Sequence, residues 1–215
     1  MMHYLDLFGT AVFAVTGALA AGRKHLDIFG VVVLSLATAL GGGTLRDVAL
    51  GSRPVFWVFD PLYIIIAAAA SLGTFAVARF YRLPEGLLQV ADAFGLAVFT
   101  VIGAERALAN NAPAVVAILM GVVTGVAGGM IRDILSGEVP LILRREIYAT
   151  ASLLGAAVFV GLGAVCPTLC PGMWIGAAVT LGLRLAAIKW DLSLPQFFPK
   201  GSSGADDGPP GGGRP

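Results

Sequence analysis

The chain has 215 residues, 57% of them hydrophobic and 13% charged, and its 14 basic against 13 acidic residues leave a net charge of +1. Its mean hydropathy is +0.87, whereas a soluble domain is about 25% charged and one core of this length cannot hide so large an apolar surplus. Those numbers exclude a water-soluble enzyme, a disordered chain and a nucleic-acid binder with a basic face, and leave an all-α integral membrane protein.

Seven stretches reach the roughly 20 apolar residues needed to cross a hydrocarbon core: about 4–21, 28–50, 61–80, 88–106, 112–134, 147–166 and 172–190. The first opens with Met1-Met2-His3-Tyr4 and lacks the basic leader of a signal peptide, so it is expected to stay as a helix of the mature protein. Asp6, and Asp92 in the fourth span, read as first-turn carboxylates that complete the helix dipole, with a pathway role as the alternative. Asp60-Pro61 sets a capping residue before a proline at the start of the third span. Glu105 and Arg106 read as interfacial. Arg184, in the last span, reads as snorkelling toward the basic side or as facing the bundle interior. Cys166-Pro-Thr-Leu-Cys170 precedes that span, and both a disulfide and two free thiols stay open. His3 and His25 follow no metal-binding pattern. The Gly- and Pro-rich residues 200–215 bury nothing and are expected to be disordered.

Basic residues near the span ends are unequally divided. Arg23, Lys24, Arg79, Arg82, Arg144, Arg145, Lys189 and Lys200 fall on one side, Arg53 and Arg106 on the other. The basic side is expected to be cytoplasmic, which puts the N-terminus outside and the C-terminus inside. Trp57 and Trp174 then lie at the outer interface, and Tyr81, Tyr148 and Trp190 at the inner one.

Residues 6–54 align without a gap onto 92–140 at a constant offset of 86, with 17 of 49 positions identical. Among the identities are Asp6/Asp92, Gly9/Gly95, Phe13/Phe99, Thr38/Thr124, Gly42/Gly128, Gly43/Gly129, Arg46/Arg132 and Asp47/Asp133. This excess over shared apolar composition divides the chain into a three-helix unit at 4–86, its duplicate at 88–170, a seventh helix at 171–192 and the tail at 200–215. Three helices per unit make the copies enter the membrane with opposite polarity, and inverted repeats of this kind place a transport pathway near the midplane between them.

One stretch in each copy breaks the apolar rule: Thr38-Ala-Leu-Gly41-Gly42-Gly43-Thr44-Leu-Arg46-Asp47, and Thr124-Gly-Val-Ala-Gly128-Gly129-Met-Ile-Arg132-Asp133. Each interior glycine costs a helix roughly 1 kcal/mol relative to alanine, so the clusters invite a kink or a short unwound segment. Carbonyls freed there must face protein or a wet cavity, where they and the Thr38 and Thr44 hydroxyls are candidate cation ligands. Thr38, Gly42 and Arg46 form one stripe at i, i+4 and i+8, and Thr124, Gly128 and Arg132 repeat it. Adjacent Arg46 and Asp47 point about 100° apart, and each is expected to find its partner on another helix, the opposite repeat being the obvious source. The competing readings are close helix packing at the glycines and, for Arg46 and Arg132, charges beyond a helix end that fix topology. The stripes Gly9/Phe13/Gly17 and Gly95/Phe99/Gly103 read as packing surfaces.

With these residues the chain resembles the prokaryotic trimeric intracellular cation channel family, over about residues 4–190. The family's duplicated domain has also been labelled a bacterial glycine-transporter domain. The resemblance implies a seven-helix protomer, a homotrimer, and a pore in each subunit lined by glycine-kinked helices 2 and 5, permeable to monovalent cations, potassium especially. It assigns the kinks to Gly41, Gly42, Gly43, Gly128 and Gly129; Ala127 stands where the first copy has Gly41, which makes the second kink the milder.

The residues alone leave a channel and a secondary transporter of a small amino acid such as glycine both open, because inverted repeats with broken helices serve either. Arg46, Arg132, Asp47 and Asp133 could supply the paired charges that a zwitterion needs. The resemblance favours the channel. No Ser/His or Cys/His pair falls within a span, so no catalytic residue and no cofactor is expected, and no metal beyond transient monovalent cations. The expected partners are further copies of the chain, membrane lipid and monovalent cations, not nucleic acid. The expected location is the bacterial inner membrane.

Overall fold

The computed structural model describes residues 2–84, 86–144, 147–165 and 172–192. The expectations for Arg145, Cys166, Cys170, Lys200 and the tail 200–215 lie outside the described residues.

Every regular element among the described residues is helical: α1 (Met2–Arg23), α2 (Ile28–Ala49), the single turn α3 (Phe56–Phe59), α4 (Leu62–Phe80), α5 (Leu87–Ala109), α6 (Ala114–Leu135), the single turn α7 (Leu141–Arg144), α8 (Ala149–Val165) and α9 (Gly172–Trp190). Six of them have at least 19 residues and are apolar enough to cross a membrane, and α8 is a shorter apolar helix of 17. At 1.5 Å per residue α8 is about 26 Å long, because Ile147 and Tyr148, expected to open the sixth span, precede it. The turns α3 and α7 carry no periodic signal in the sequence.

Local chemistry explains the boundaries. Asp27 Oδ1 accepts the Gly30 amide at 2.7 Å and caps α2, and Asp60 Oδ1 accepts the Leu62 amide at 3.0 Å at the start of α4. Helices α2 and α6 end alike: Gly51 and Gly137 take φ of 68° and 69°, a left-handed conformation that costs glycine nothing. The next amides, of Ser52 and Glu138, then return to the Asp47 and Asp133 carbonyls at 2.8 Å.

Helices α1 and α5 are the most buried. Helix α5 packs on α1, α6, α8 and α9, and α2 packs on α1, α4 and α6. Phe13 and Phe99 meet at the α1–α5 crossing with ring centroids 5.1 Å apart. A side chain at Gly95 would strike the Phe13 ring, and one at Gly9 would come within 3.1 Å of Phe99. The two stripes are packing surfaces, and their contacts are reciprocal at the offset of 86.

Helices α2 and α6 run through the glycine clusters as uninterrupted α-helix, against the reading of a short unwound segment. The Thr124 carbonyl stands where a Cβ of residue 42 would be, and the Thr38 carbonyl lies 2.6 Å from the Cβ position of residue 128. The glycines let two backbones approach, the small-residue packing common between membrane helices. The helical hydrogen bonds are kept because close contact with the opposing helix offsets the cost of glycine.

Candidate functional site

Beyond this crossing, the stripes on α2 and α6 each lead to a buried charge cluster. Arg46 is 1% exposed and Arg132 is fully buried. Both lie inside their helices, which removes the reading of them as charges beyond a helix end.

In the first cluster Arg46 Nε donates to Asp47 Oδ1 at 2.8 Å, and Asp47 Oδ2 accepts the Phe56 amide at 2.9 Å. In the second, Arg132 Nε donates to Asp133 Oδ1 at 2.9 Å, and Asp133 Oδ2 accepts the Leu141 amide at 2.9 Å. Each aspartate thus fastens the first amide of a single-turn helix, α3 or α7, and holds its neighbouring arginine. This corrects the expectation that each finds its partner on another long helix for Arg46, Asp47 and Asp133; Arg132 alone also reaches other long helices, including Thr16 of the first repeat. At the last turn of a helix, a long guanidinium folds back onto the adjacent carboxylate, which is itself fixed by the chain that follows.

The two clusters differ in what else they hold. Arg132 Nη1 donates to Asp92 Oδ1 at 2.7 Å and to Thr16 Oγ1 at 3.1 Å. Arg46 has no ion pair with Asp6; its Nη1 and Asp6 Oδ1 make no hydrogen bond among the described residues. Asp6 Oδ2 instead accepts from the Tyr63 hydroxyl at 3.1 Å, and Arg46 lies 5.5 Å from the centre of the Phe56 ring. Asp6 and Asp92 are buried and lie past the first turn of their helices, so the dipole-capping reading is replaced by one of interior polar contacts.

The remaining predicted residues are distributed as follows. Thr38, Thr44 and Thr124 donate to the Leu34, Leu40 and Met120 carbonyls of their own helices at 2.7, 2.7 and 2.6 Å. Thr44 Oγ1 also accepts from Trp57 Nε1 at 3.0 Å. A Cβ at Gly41 would meet Ile131, one at Gly43 would meet Phe56, and one at Gly129 would lie 2.8 Å from the Tyr148 hydroxyl and 3.1 Å from Asp92 Oδ1. The glycines therefore seat the aromatic and charged groups of each cluster.

Sequence reasoning missed Tyr63 and Thr16 and set Tyr148 in the inner aromatic belt, whereas Tyr148 is buried in the bundle; of the two readings of Arg184, the structure takes the interior one. The two tyrosines correspond at an offset of 85, one residue short of the main repeat, a signal that a gap of one residue in the alignment reveals. Arg184 does not snorkel: it is 1% exposed, its guanidinium lies 4.7 Å from the centre of the Tyr148 ring, and Nη1 donates to the Ile147 carbonyl at 3.4 Å. The tyrosine face offers the arginine a cation–π contact inside the bundle.

At the Arg132 end a cavity of about 220 Å³ is lined by Asp133, Ser136, Glu138, Lys24 and Arg144, among others. Glu138 accepts from Lys24 Nζ at 2.6 Å and Arg144 Nη2 at 2.8 Å, and these bonds, Lys24 foremost, hold its carboxyl below the usual glutamate range. The bridge ties the α1–α2 turn to the chain after α6. A larger groove of about 1280 Å³, lined by Arg23, Arg79 and Arg82 among others, holds none of the predicted site residues.

The profile of the Glycine transporter family matches residues 3–79 and again 89–164. The inner membrane protein YadS of Escherichia coli K12, a UPF0126 protein, is 48% identical over 199 residues, which cover 92% of this chain and 96% of that protein. A UPF0126 membrane protein of Vibrio cholerae is 48% identical over 92% of this chain and 83% of its own length. Among solved structures, a TRIC trimeric intracellular cation channel orthologue from Rhodobacter sphaeroides superposes with a TM-score of 0.85 at 47% identity, covering 89% of this chain and 98% of that one. A second structure, described under conductance through TRIC cation channels, gives a TM-score of 0.82 at 36% identity over 92% of this chain and 98% of the other.

Proposed function

This chain belongs to the Glycine transporter family, whose domain it carries twice, and on that footing we propose that it is a potassium-permeable cation channel of the bacterial inner membrane. It works as a homotrimer with one pore per protomer. The observation that carries the reading is the shared fold, at 47% identity, with a structure described as a trimeric cation channel. In this reading the seven apolar helices span the membrane as two inverted three-helix repeats, 4–86 and 88–170, followed by the last helix at 171–192. The reciprocal contacts Gly9 to Phe99 and Gly95 to Phe13 support the inversion. The N-terminus lies outside and the C-terminus inside, as the division of basic residues favours.

The pathway follows α2 and α6. Thr38, Gly41, Gly42, Gly43 and Thr44 with Thr124, Gly128 and Gly129 form its narrow middle. Arg46 with Asp47 and Arg132 with Asp133 stand at its two ends. The carboxylates raise the local concentration of cations, while each guanidinium neutralises part of that charge. Several weak oxygen sites in a row let an ion move on, and water and carbonyls rather than a cofactor solvate it.

The alternative is a carrier of a small amino acid such as glycine. Its support is the family's name and the difference between the two halves, joined at Arg132–Asp92 and parted at Arg46–Asp6. Single-channel recording of the purified protein in planar bilayers, paired with radiolabelled glycine uptake into proteoliposomes, separates the two. Unitary potassium currents far above carrier turnover are expected. Silent bilayers together with saturable glycine uptake would reverse the assignment, and a detergent-corrected mass other than three chains would remove the trimer.

A further inference from the structure

The groove of about 1280 Å³ lies where α1 and α4 end and α5 begins, apart from the Arg-Asp clusters. Ala18 and Leu19 of α1, Phe75 and Ala78 of α4 and Leu88 of α5 give it an apolar floor. Arg23, Arg79 and Arg82 line it as well, and no Asp or Glu among the described residues does. Small residues keep the slot open: a Cβ at Gly22 or Gly86 would meet nothing within 4 Å. Phe80 and Tyr81, which border it, are 77% and 70% exposed, the character of aromatic side chains at headgroup level. The smaller cavity at this end is different, because Glu138 there engages both Lys24 and Arg144.

We propose that this groove binds one anionic glycerophospholipid, with its phosphate on Arg79 and Arg82 and an acyl chain along the apolar floor between α1 and α4. The proposal rests on the reading of the helices as membrane spans and is independent of conduction.

Charge, shape and depth agree on that occupant. Three guanidiniums without a carboxylate call for an anion, and the planar fork of arginine matches phosphate oxygens. An apolar floor beneath them calls for hydrocarbon, so the ligand is an amphiphile. The volume exceeds the roughly 300–1,000 Å³ of sites for drug-sized ligands, which a small soluble anion would leave largely empty. Basic pockets between helix ends are where anionic headgroups of a bilayer are held. Helix α4 packs on α1 and α2, and α5 packs on α1; a lipid in the groove fills the wedge between α4 and α5 and ties the two repeats together.

The test uses the purified full-length protein in neutral detergent, with phosphatidylglycerol and phosphatidylcholine as probes. Native mass spectrometry counts the lipid retained per chain, and thermal melting reads the stabilisation. The wild type should retain one phosphatidylglycerol per chain in preference to phosphatidylcholine, and its midpoint should rise with phosphatidylglycerol. A basic residue beside an anionic headgroup is worth about five-fold in affinity. Arg79→Gln and Arg82→Gln should each cut retention by about that factor, and Arg79→Lys should keep most of it. Ala78→Trp fills the slot without changing charge and should abolish retention, whereas Arg144→Gln, outside the groove, should leave it intact. Equal retention of the two lipids by the wild type, or unchanged retention in Arg79→Gln, Arg82→Gln and Ala78→Trp, would overturn the site. Inorganic phosphate that stabilises as well as the lipid would make it a soluble-anion site instead. A wild type that retains no lipid, with an oligomer mass that changes in Ala78→Trp, would make the groove an interface between copies. Should Ala78→Trp fail to assemble, the two exposed arginines decide. No current is read, so silent bilayers would remove the channel reading and leave this site standing.

Discussion

Gly42 and Thr124 meet backbone to backbone: the Thr124 carbonyl of α6 fills the space that a side chain at position 42 of α2 would need. The mirror contact joins Gly128 to Thr38. A methyl group at either glycine has to push a helix away, since the obstructing atom is main chain and cannot rotate aside. Gly42→Ala and Gly128→Ala should each destabilise the protein by about 1–3 kcal/mol, the usual cost of overpacking, and reduce cation flux. Gly73, with nothing within 4 Å of its Cβ position, is the control. Gly73→Ala should be neutral or stabilise by up to about 1 kcal/mol, the helix-propensity gain. Melting in detergent compares the three.

Removing a carboxylate should hurt the two clusters unequally. Asp47 is the one ion-pair partner of Arg46 among the described residues, whereas Arg132 is paired with both Asp133 and Asp92. Breaking a buried pair from one side costs about 3–5 kcal/mol. Asp47→Asn should approach that loss and Asp133→Asn should fall well short of it, with cation flux lowered in both. Thermal unfolding of the assembled protein ranks them, and equal losses would mean that Asp92 does not compensate for Asp133.

The exposed bridge at Glu138 yields a pH dependence. Its carboxyl titrates below the usual glutamate range because Lys24, and then Arg144, hydrogen-bond the charged form. A depressed folded-state value means that the bridge stabilises at neutral pH and is lost as pH falls through that lowered value. Glu138→Gln should remove this acid-side step, and about 1 M salt, with a screening length near 3 Å, should weaken the bridge in the wild type. Unfolding midpoints measured from neutral to acidic pH, in both proteins, check the sign.

Membrane orientation is testable with two cysteines. In a background lacking Cys166 and Cys170, cysteines at Ser52 and His25 lie in turns at opposite ends of α2. An impermeant reagent added outside intact cells should label position 52 and spare position 25. The opposite pattern would invert the topology.

Helix existence was legible because crossing lipid demands long apolar runs, and the seven predicted spans coincide with helices α1, α2, α4, α5, α6, α8 and α9 to within a few residues. The duplication was legible too, since residues such as Arg46/Arg132 and Asp47/Asp133 remain identical at a constant offset. What glycine does there was not. A Gly-Gly pair weakens a helix or admits a neighbour, and only the crossing of α2 and α6, with Thr124 and Thr38 carbonyls against Gly42 and Gly128, decided for the neighbour.

The amino-acid sequence by itself determined the class of molecule, the apolar helices and the recurrence of an adjacent Arg and Asp in each copy, because hydropathy, periodicity and repetition are properties of the chain read in order. The tertiary structure decided which atoms those charges bond. Asp92 reaches Arg132 across 40 positions and Thr16 reaches it across 116, while Asp6 turns to Tyr63. A buried charge takes whichever partner the packing brings within about 3 Å, and packing between helices far apart in sequence is set by the fitted surfaces of all of them together.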